Sequence, residues 1–272
     1  MATTEGTLAK GAYLFYSCYS AASRVQEQFV HDHALTIILQ GSLDFFLGNR
    51  HVTYHQGDIV LVRRNQLAKA TKIPPETGGA FKSISLHLYQ DLLRKFSLED
   101  GLQASEPWQG EGIVQLRPDA FAKSFVDSLT PYMSMDEGAC DNTLVQLKAK
   151  EAVLLILRLN PAAKNLLFDF NEPGKIDLEE FMSQHYTFNV EMKRFAYLTG
   201  RSLATFKRDF EKIFHTSPGK WLQQKRLAQA YYLIKEKKRK PSDVYLEVGF
   251  EDLSHFSFAF KKEFGKAPSL LN

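Results

Sequence analysis

The sequence predicts an α+β chain: an antiparallel β-barrel with attendant helices, followed by an all-α domain with two helix-turn-helix units. Three observations predict it. Residues 10–90 are built from short apolar segments punctuated by Gly and Asn, the pattern of antiparallel strands. From about residue 117 the apolar residues recur at helical spacing. Near the C-terminus, a set of phenylalanines and a proline repeats itself fifty residues later.

The bulk numbers allow this and narrow the function. A chain of 272 residues is long enough for two domains, each with its own core. Hydrophobic residues at 44% and charged residues at 24% are the composition expected of an ordinary soluble globular protein. The longest apolar run, Ala152 to Leu157, is far too short to span a bilayer. The start, Met1-Ala-Thr-Thr-Glu-Gly6, has no basic segment before an apolar one, so no secretory leader is expected and the location is expected to be cytoplasmic. Cys18 and Cys140 fit no metal or redox spacing and read as reduced thiols. Residues 1–174 hold 16 Lys/Arg against 19 Asp/Glu, whereas 175–272 hold 18 against 12. That asymmetry points to a polyanionic partner for the second half alone.

In chain order, Leu35 to Leu39 reads as a strand running to Gly41. Leu43 to Leu47 follows and ends in a turn at Gly48-Asn49. Val52 to Tyr54 leads through Gln56-Gly57-Asp58 to the apolar run Ile59-Val60-Leu61-Val62, and Lys82 to Leu88 alternates with period two. From Asp119 to Met133, Phe121, Phe125, Leu129 and Tyr132 mark one helical face. A second helix is expected from about Asn142 to Leu159, closed by Pro161. Its residues Val145, Ala149, Ala152, Ile156 and Leu159 step by four and three, which suits a dimer seam or a face packed on the barrel. Asn171-Glu-Pro-Gly-Lys175 is the linker candidate, since Pro and Gly break helix and strand alike. The expected organisation is therefore a barrel over 1–112, a helical extension over 113–170, a linker at 171–175 and a C-terminal domain over 176–272.

In the repeat, Phe206, Phe210, Phe214 and Pro218 return as Phe256, Phe260, Phe264 and Pro268. Ser202 and Asp252, both good N-cap residues, share an offset, and Gly200 and Gly249 precede them. Short amphipathic segments, Met192 to Thr199 and Ser242 to Val248, come before each glycine. Helix, tight glycine turn and second helix make a helix-turn-helix unit. Phenylalanines four residues apart form the buried stripe of the second helix and leave its other face free for a groove. Between the units, Ser217-Pro218 starts a helix running to about Glu236, with Trp221, Leu222, Leu227, Ala230 and Leu233 on its buried side. At 1.5 Å per residue it is roughly 28 Å long, close to the spacing of about 34 Å between successive major-groove faces.

Phe206-x-Arg208-x-Phe210, Ser217-Pro218, Arg226-x-x-x-Ala230 and Val248-Gly249-Phe250-x-Asp252-x-Ser254-x-Phe256-x-x-x-Phe260-Lys261-x-x-x-Gly265-x-x-Pro268 together resemble the AraC/XylS signature over roughly 176–270. The resemblance implies a transcription regulator that binds double-stranded DNA and contacts RNA polymerase, and is not an enzyme. Two positions depart from it. His215 stands where the family usually has Gly, at a point expected to need a left-handed backbone. Phe258 stands where many members carry a polar or basic residue, which suggests an apolar contact such as a thymine methyl, or else weak readout by the second unit.

With the phenylalanines inward, helical spacing sends Ala204, Lys207, Arg208 and Glu211 outward on the first recognition helix. The resemblance makes Ala204, Lys207 and Arg208 base readers, with Arg208 suited to pair bidentately with guanine. Leu253, Ser254, His255, Ser257 and Phe258 are the outward set on the second. Arg194, Arg201, Ser202, Lys212, Lys220, Lys225, Lys238 and Lys240 are phosphate candidates, which set affinity and register. For the 235–240 run the alternative is a solvated helix end.

In the N-terminal half, His31-Asp32-His33 followed by a strand and Gln56-Gly57-Asp58 resembles the cupin pattern. Two histidines one residue apart on a strand face one side. The cupin Glu position falls on Thr36 or Ile37 and the second-motif His near Leu67 or Ala68, so half the ligand set is missing. No metal or cofactor is expected, and the domain reads as sensory or regulatory. It has room for a small-molecule effector or a regulatory protein, and for pairing into a homodimer. A metal-dependent cupin enzyme and a helical module that binds protein instead of DNA are the alternatives. Arg63-Arg64 suits a carboxylate partner or none.

Overall fold

The computed structural model describes residues 6–9, 13–25, 28–48, 50–135 and 141–271. The segment before Gly6, the turn position Asn49 and Cys140 lie outside the described residues, while Cys18 is buried. The chain divides into two compact units between Asn171 and Glu172.

The first unit holds strands β1 (Gly6–Ala9), β2 (Leu14–Tyr19), β3 (Ser23–Arg24), β4 (Phe29–Val30), β5 (His33–Gln40), β6 (Ser42–Leu47) and β7 (Arg50–His55). These continue with β8 (Ile59–Val62), β9 (Gln66–Leu67), β10 (Lys69–Ile73), β11 (Phe81–Leu88) and β12 (Ile113–Leu116). Instead of one closed barrel, the described strands form three sheets: β1-β2-β11-β5-β8-β12, β3-β10-β6-β7 and the pair β4-β9. Gly41 is the corner between the first two. It has φ +82°, and a Cβ there would lie 2.3 Å from the Ile73 carbonyl oxygen, so the chain turns from β5 into β6 only because no side chain stands in the way.

Each face of the six-stranded sheet is buried. Leu35, Ile37, Ile59 and Leu61 pack toward the helices, and Ile38, Val60, Val62 and Phe81 pack with Leu43, Phe45 and Tyr54 of the four-stranded sheet. That is why β8 is apolar at every position instead of alternating. The sheet does not end at 112, as the sequence suggested. Ile113–Leu116 pairs antiparallel with β8, and the sheet already carries a helix, α1 (Gln90–Asp100), before that strand. The sequence missed β12 because it is only four residues long, and it missed α1, of eleven residues, as well.

Helices α2 (Ala120–Ser128), α3 (Thr130–Met133), α4 (Asn142–Leu159) and α5 (Lys164–Leu167) follow. Asp119 caps α2 by accepting the Ala122 N–H at 2.9 Å. Phe121, expected on the buried face with Phe125, is 63% exposed and lies under the Arg158 guanidinium at 4.4 Å. The proposed dimer seam is also corrected. Val145, Ala149, Ala152 and Ile156 are fully buried in the core against the sheet, and Leu159 is packed at its edge, so no second chain reaches them. Their spacing reflects packing on the sheet of their own chain. The opposite stripe of α4 exposes Leu144, Leu147 and Leu154.

The second unit is helical: α6 (Leu178–His185), α7 (Met192–Leu198), α8 (Leu203–Phe214), α9 (Pro218–Lys235), α10 (Pro241–Glu247) and α11 (Leu253–Phe264). Phe206 and Phe210 of α8 are fully buried, and so are Phe256 and Phe260 of α11. Leu227, Ala230, Leu233 and Ile234 of α9 join the second pair in one core with Val244 and Val248. Trp221 at the other end of α9 meets Phe210 and Phe214, with ring centroids 5.6 and 4.8 Å apart. The central helix is thus the shared wall of both units. None of the described helices is long and apolar enough to cross a membrane.

Candidate nucleic-acid interface

The two α7-α8 and α10-α11 pairs are built alike. Gly200, at φ +64°, ends the first helix of one, and Gly249, at φ +99°, the first helix of the other. Ser202 caps α8 by accepting the Thr205 N–H at 3.2 Å, and Asp252 caps α11 by accepting the His255 N–H at 2.6 Å. Both helices end in a left-handed residue: Gly265 after α11, and His215, at φ 54°, after α8. The left-handed backbone expected at 215 is present, carried by a residue with a Cβ.

Burying Phe206 and Phe210 turns the opposite side of α8 to solvent. Ala204, Lys207 and Glu211 are exposed, and the Arg208 side chain is 77% exposed, with Nη2 3.5 Å from Asp209 Oδ1. An exposed ion pair of that length is weak, so the guanidinium is available to a stronger partner. On α11, Leu253, Ser254 and His255 are exposed, Phe258 is 70% exposed, and Ser257 is half-buried at the edge of the face. The two outward faces therefore differ in chemistry. One carries two cations; the other carries hydroxyls, an imidazole and an uncovered phenyl ring.

The phosphate candidates divide. Lys212, Lys220, Lys225, Lys238 and Lys240 are exposed. Lys225 Nζ lies 5.5 Å from the centre of the Trp221 ring. Arg194 is half-buried, and Ser202 is exposed but occupied as the cap of α8. Arg201 is not a phosphate contact. Its side chain is 6% exposed, with Nε donating to Asp209 Oδ2 at 3.1 Å and Nη1 to the Ile176 and Thr199 carbonyls at 3.0 and 2.7 Å. It ties the segment before α6 to α8, and its hydrogen bond holds the Asp209 carboxyl below the usual carboxylate range. Charge alone suggested a phosphate role, and nothing local distinguishes a buried arginine from an exposed one.

In the first unit, His31 and His33 do not share a site. His31 is exposed and meets the Phe29 ring edge-on at 4.6 Å. His33 is buried, and its Nδ1 accepts the Arg64 N–H at 3.3 Å. Burial and the nearby Arg64 and Arg63 charges push its pKa down to about 3, so the ring is neutral. Arg64 is buried as well and donates to the Asp169 and Asn171 carbonyls, at 3.0 and 3.2 Å, a backbone partner that its sequence neighbours do not announce.

Comparison with known proteins agrees with this geometry. Residues 195–271 match the model of a helix-turn-helix domain, and residues 33–168, half of the chain, match that of the ExsA N-terminal regulatory domain. The chain is 22% identical over 269 residues to the HTH-type transcriptional regulator ExsA of Pseudomonas aeruginosa, covering 97% of this chain and 95% of that protein. It is 24% identical over 244 residues to the virulence regulon transcriptional activator VirF of Yersinia enterocolitica, covering 86% and 87%. Among solved structures, an apo ToxT variant from Vibrio cholerae aligns with a TM-score of 0.46 and 13% identity, over 96% of this chain and 97% of that one. Paired helix-turn-helix units behind a regulatory domain define a DNA-binding transcription regulator. Within that class, the chain belongs to the AraC/XylS family.

Proposed function

We propose that the protein is a transcription activator that reads its operator mainly through α8. The observation that supports this most directly is the uncovered pair Lys207 and Arg208, held outward by the buried Phe206 and Phe210. Arg208 offers the planar fork that matches guanine O6 and N7, Lys207 adds a second donor, and Ala204 lets the backbone approach the base edges. The α11 face reads by shape and methyl contact: Phe258 against a thymine methyl, Ser254 and His255 as donors to bases or phosphate. Lys212, Lys220, Lys225, Lys238 and Lys240 supply the non-specific attraction to the duplex. As an activator the protein would also contact RNA polymerase, a role that its similarity to named transcriptional activators supports without showing.

Selecting bound sequences from random DNA, followed by gel shifts at two salt concentrations, tests this reading. Affinity that does not fall steeply with salt would remove the duplex as the partner. Arg208→Ala is expected to lose about 1–3 kcal/mol of discrimination at one guanine while binding to unrelated DNA is little changed. An unchanged selected motif would take Arg208 off the list of readers.

We further propose that two copies pair through the outward stripe of α4, where Leu144, Leu147 and Leu154 recur at coiled-coil spacing with Glu151 between them. Pairing would raise the local concentration of DNA-binding units on neighbouring half-sites. Sedimentation should show a dimer in the wild type and a monomer in Leu147→Glu. A wild type monomeric at micromolar concentration would end this part of the proposal.

A further inference from the structure

The two helix-turn-helix units touch at a second place besides the core around α9. Arg226 lies on α9, between its two apolar ends, and is half-buried. Nε donates to the Tyr186 carbonyl at 2.7 Å, Nη2 to the Phe188 carbonyl at 2.7 Å and Nη1 to the Gly249 carbonyl at 2.9 Å. Tyr186 and Phe188 belong to the turn between α6 and α7, just before the first helix-turn-helix pair, and Gly249 to the turn between α10 and α11, inside the second pair. At Gly249 a Cβ would come within 2.4 Å of the Thr187 carbonyl oxygen, so the two turns are in backbone contact there. Beside them, Asn189 Nδ2 donates to Glu251 Oε1 at 2.6 Å. Each of these contacts joins two of three parties: residues 186–189, residues 249–251 and the arginine between them.

A planar fork engaged by three backbone carbonyls is a triangulating joint. Guanidinium N–H directions are fixed by its plane, so the three acceptors have little freedom to shift. A lysine has one nitrogen on a flexible stem and cannot hold carbonyls from both turns in the same way. The joint sits where a small rotation matters most. From a pivot at Arg226, midway along a helix of roughly 27 Å, a tilt of about 14° moves either end by about 3.4 Å, one base-pair step along the duplex.

We infer that Arg226 is the positioning residue that holds the two recognition helices in fixed register, and so sets the spacing that the protein demands between the two DNA segments it reads. The inference rests on both units engaging one duplex. Arg226 need not touch DNA; it acts through the turn that leads into α7, on which α8 is packed, and the turn that leads into α11. Without it, each unit keeps its own phenylalanine core, but the pair loses the pre-organisation that makes binding at the second segment nearly intramolecular.

The test uses the full-length chain and the preferred site obtained by selection. Binding is measured by fluorescence anisotropy to that site, to versions with one base pair inserted or removed between the halves, and to versions with either half scrambled. Wild-type protein is expected to lose about tenfold or more when the spacing changes by one base pair. Folded Arg226→Lys and Arg226→Met should bind the intact site about tenfold more weakly, bind each half alone as the wild type does, and show a spacing preference flattened to within about threefold. Asn189→Ala with Glu251→Ala loosens the same junction from its exposed side at little risk to folding and should flatten the preference in the same direction. A wild-type spacing profile in folded variants, or half-site binding lost in step with the intact site, would overturn the inference. Wild-type protein indifferent to scrambling one half would instead remove the two-segment reading on which it rests.

Discussion

Phe210→Ala is expected to destabilise the helical unit by about 3–5 kcal/mol, the range for emptying a fully buried phenylalanine site. Phe210 has no exposed surface, and its ring lies 5.6 Å from Phe206, 4.3 Å from Phe214 and 5.6 Å from Trp221, centroid to centroid. It is the point where the recognition helix, its own stripe and the central helix meet. Domains are stable by only about 5–15 kcal/mol, so the loss is a large share of the total, and DNA binding should fail with folding. The measurement is direct, because the chain has two tryptophans, Trp108 and Trp221. In a Trp108→Phe background, urea unfolding followed by Trp221 fluorescence reports the C-terminal unit alone. A loss under about 1 kcal/mol would mean that the site collapses on itself and that α8 is held by something other than this aromatic cluster.

Gly200→Ala should come next, at about 2–4 kcal/mol, for a different reason. The backbone at 200 is left-handed, φ +64°, which costs an L-residue about 1–2 kcal/mol by itself. An added Cβ would also stand 2.4 Å from the carbonyl carbon and oxygen of Gly174 and 2.5 Å from the Lys175 nitrogen. These are backbone atoms that cannot swing aside as a side chain end does. Gly265→Ala is the internal comparison: its φ is +75°, but nothing lies within 4 Å of the position, so only the conformational cost remains. Equal penalties at 200 and 265 would show that the turn is strained by its backbone angles alone and that the close approach to Gly174 is soft.

Much of the helical unit was legible because its signals are local. A cap, a glycine and apolar residues four apart lie within one or two turns of each other, and they govern the same short stretch of backbone that they predict. The repeat, the caps at Ser202 and Asp252 and the left-handed position at His215 could all be read in this way. Helix α4 was legible to the same degree, from Asn142 to Leu159, though its apolar stripe suited a second chain as well as the barrel. The barrel was less legible. Its strands are short, and whether successive ladders close depends on corners such as Gly41, whose neighbours Ile73 and Phe81 are far along the chain.

The sequence by itself determined that a strand-rich half precedes a helical one, the duplicated helix-turn-helix plan and the side of α8 that faces outward. Only the tertiary structure decided which of two heptad-like stripes on α4 is buried, that Arg201 serves the fold and not a phosphate, and that Arg226 joins the two units. The physical reason is common to all three. Periodicity and charge are properties of one segment, but burial and hydrogen-bond partners are supplied by others. The carbonyls that take up the Arg226 guanidinium stand 40, 38 and 23 residues away in the chain.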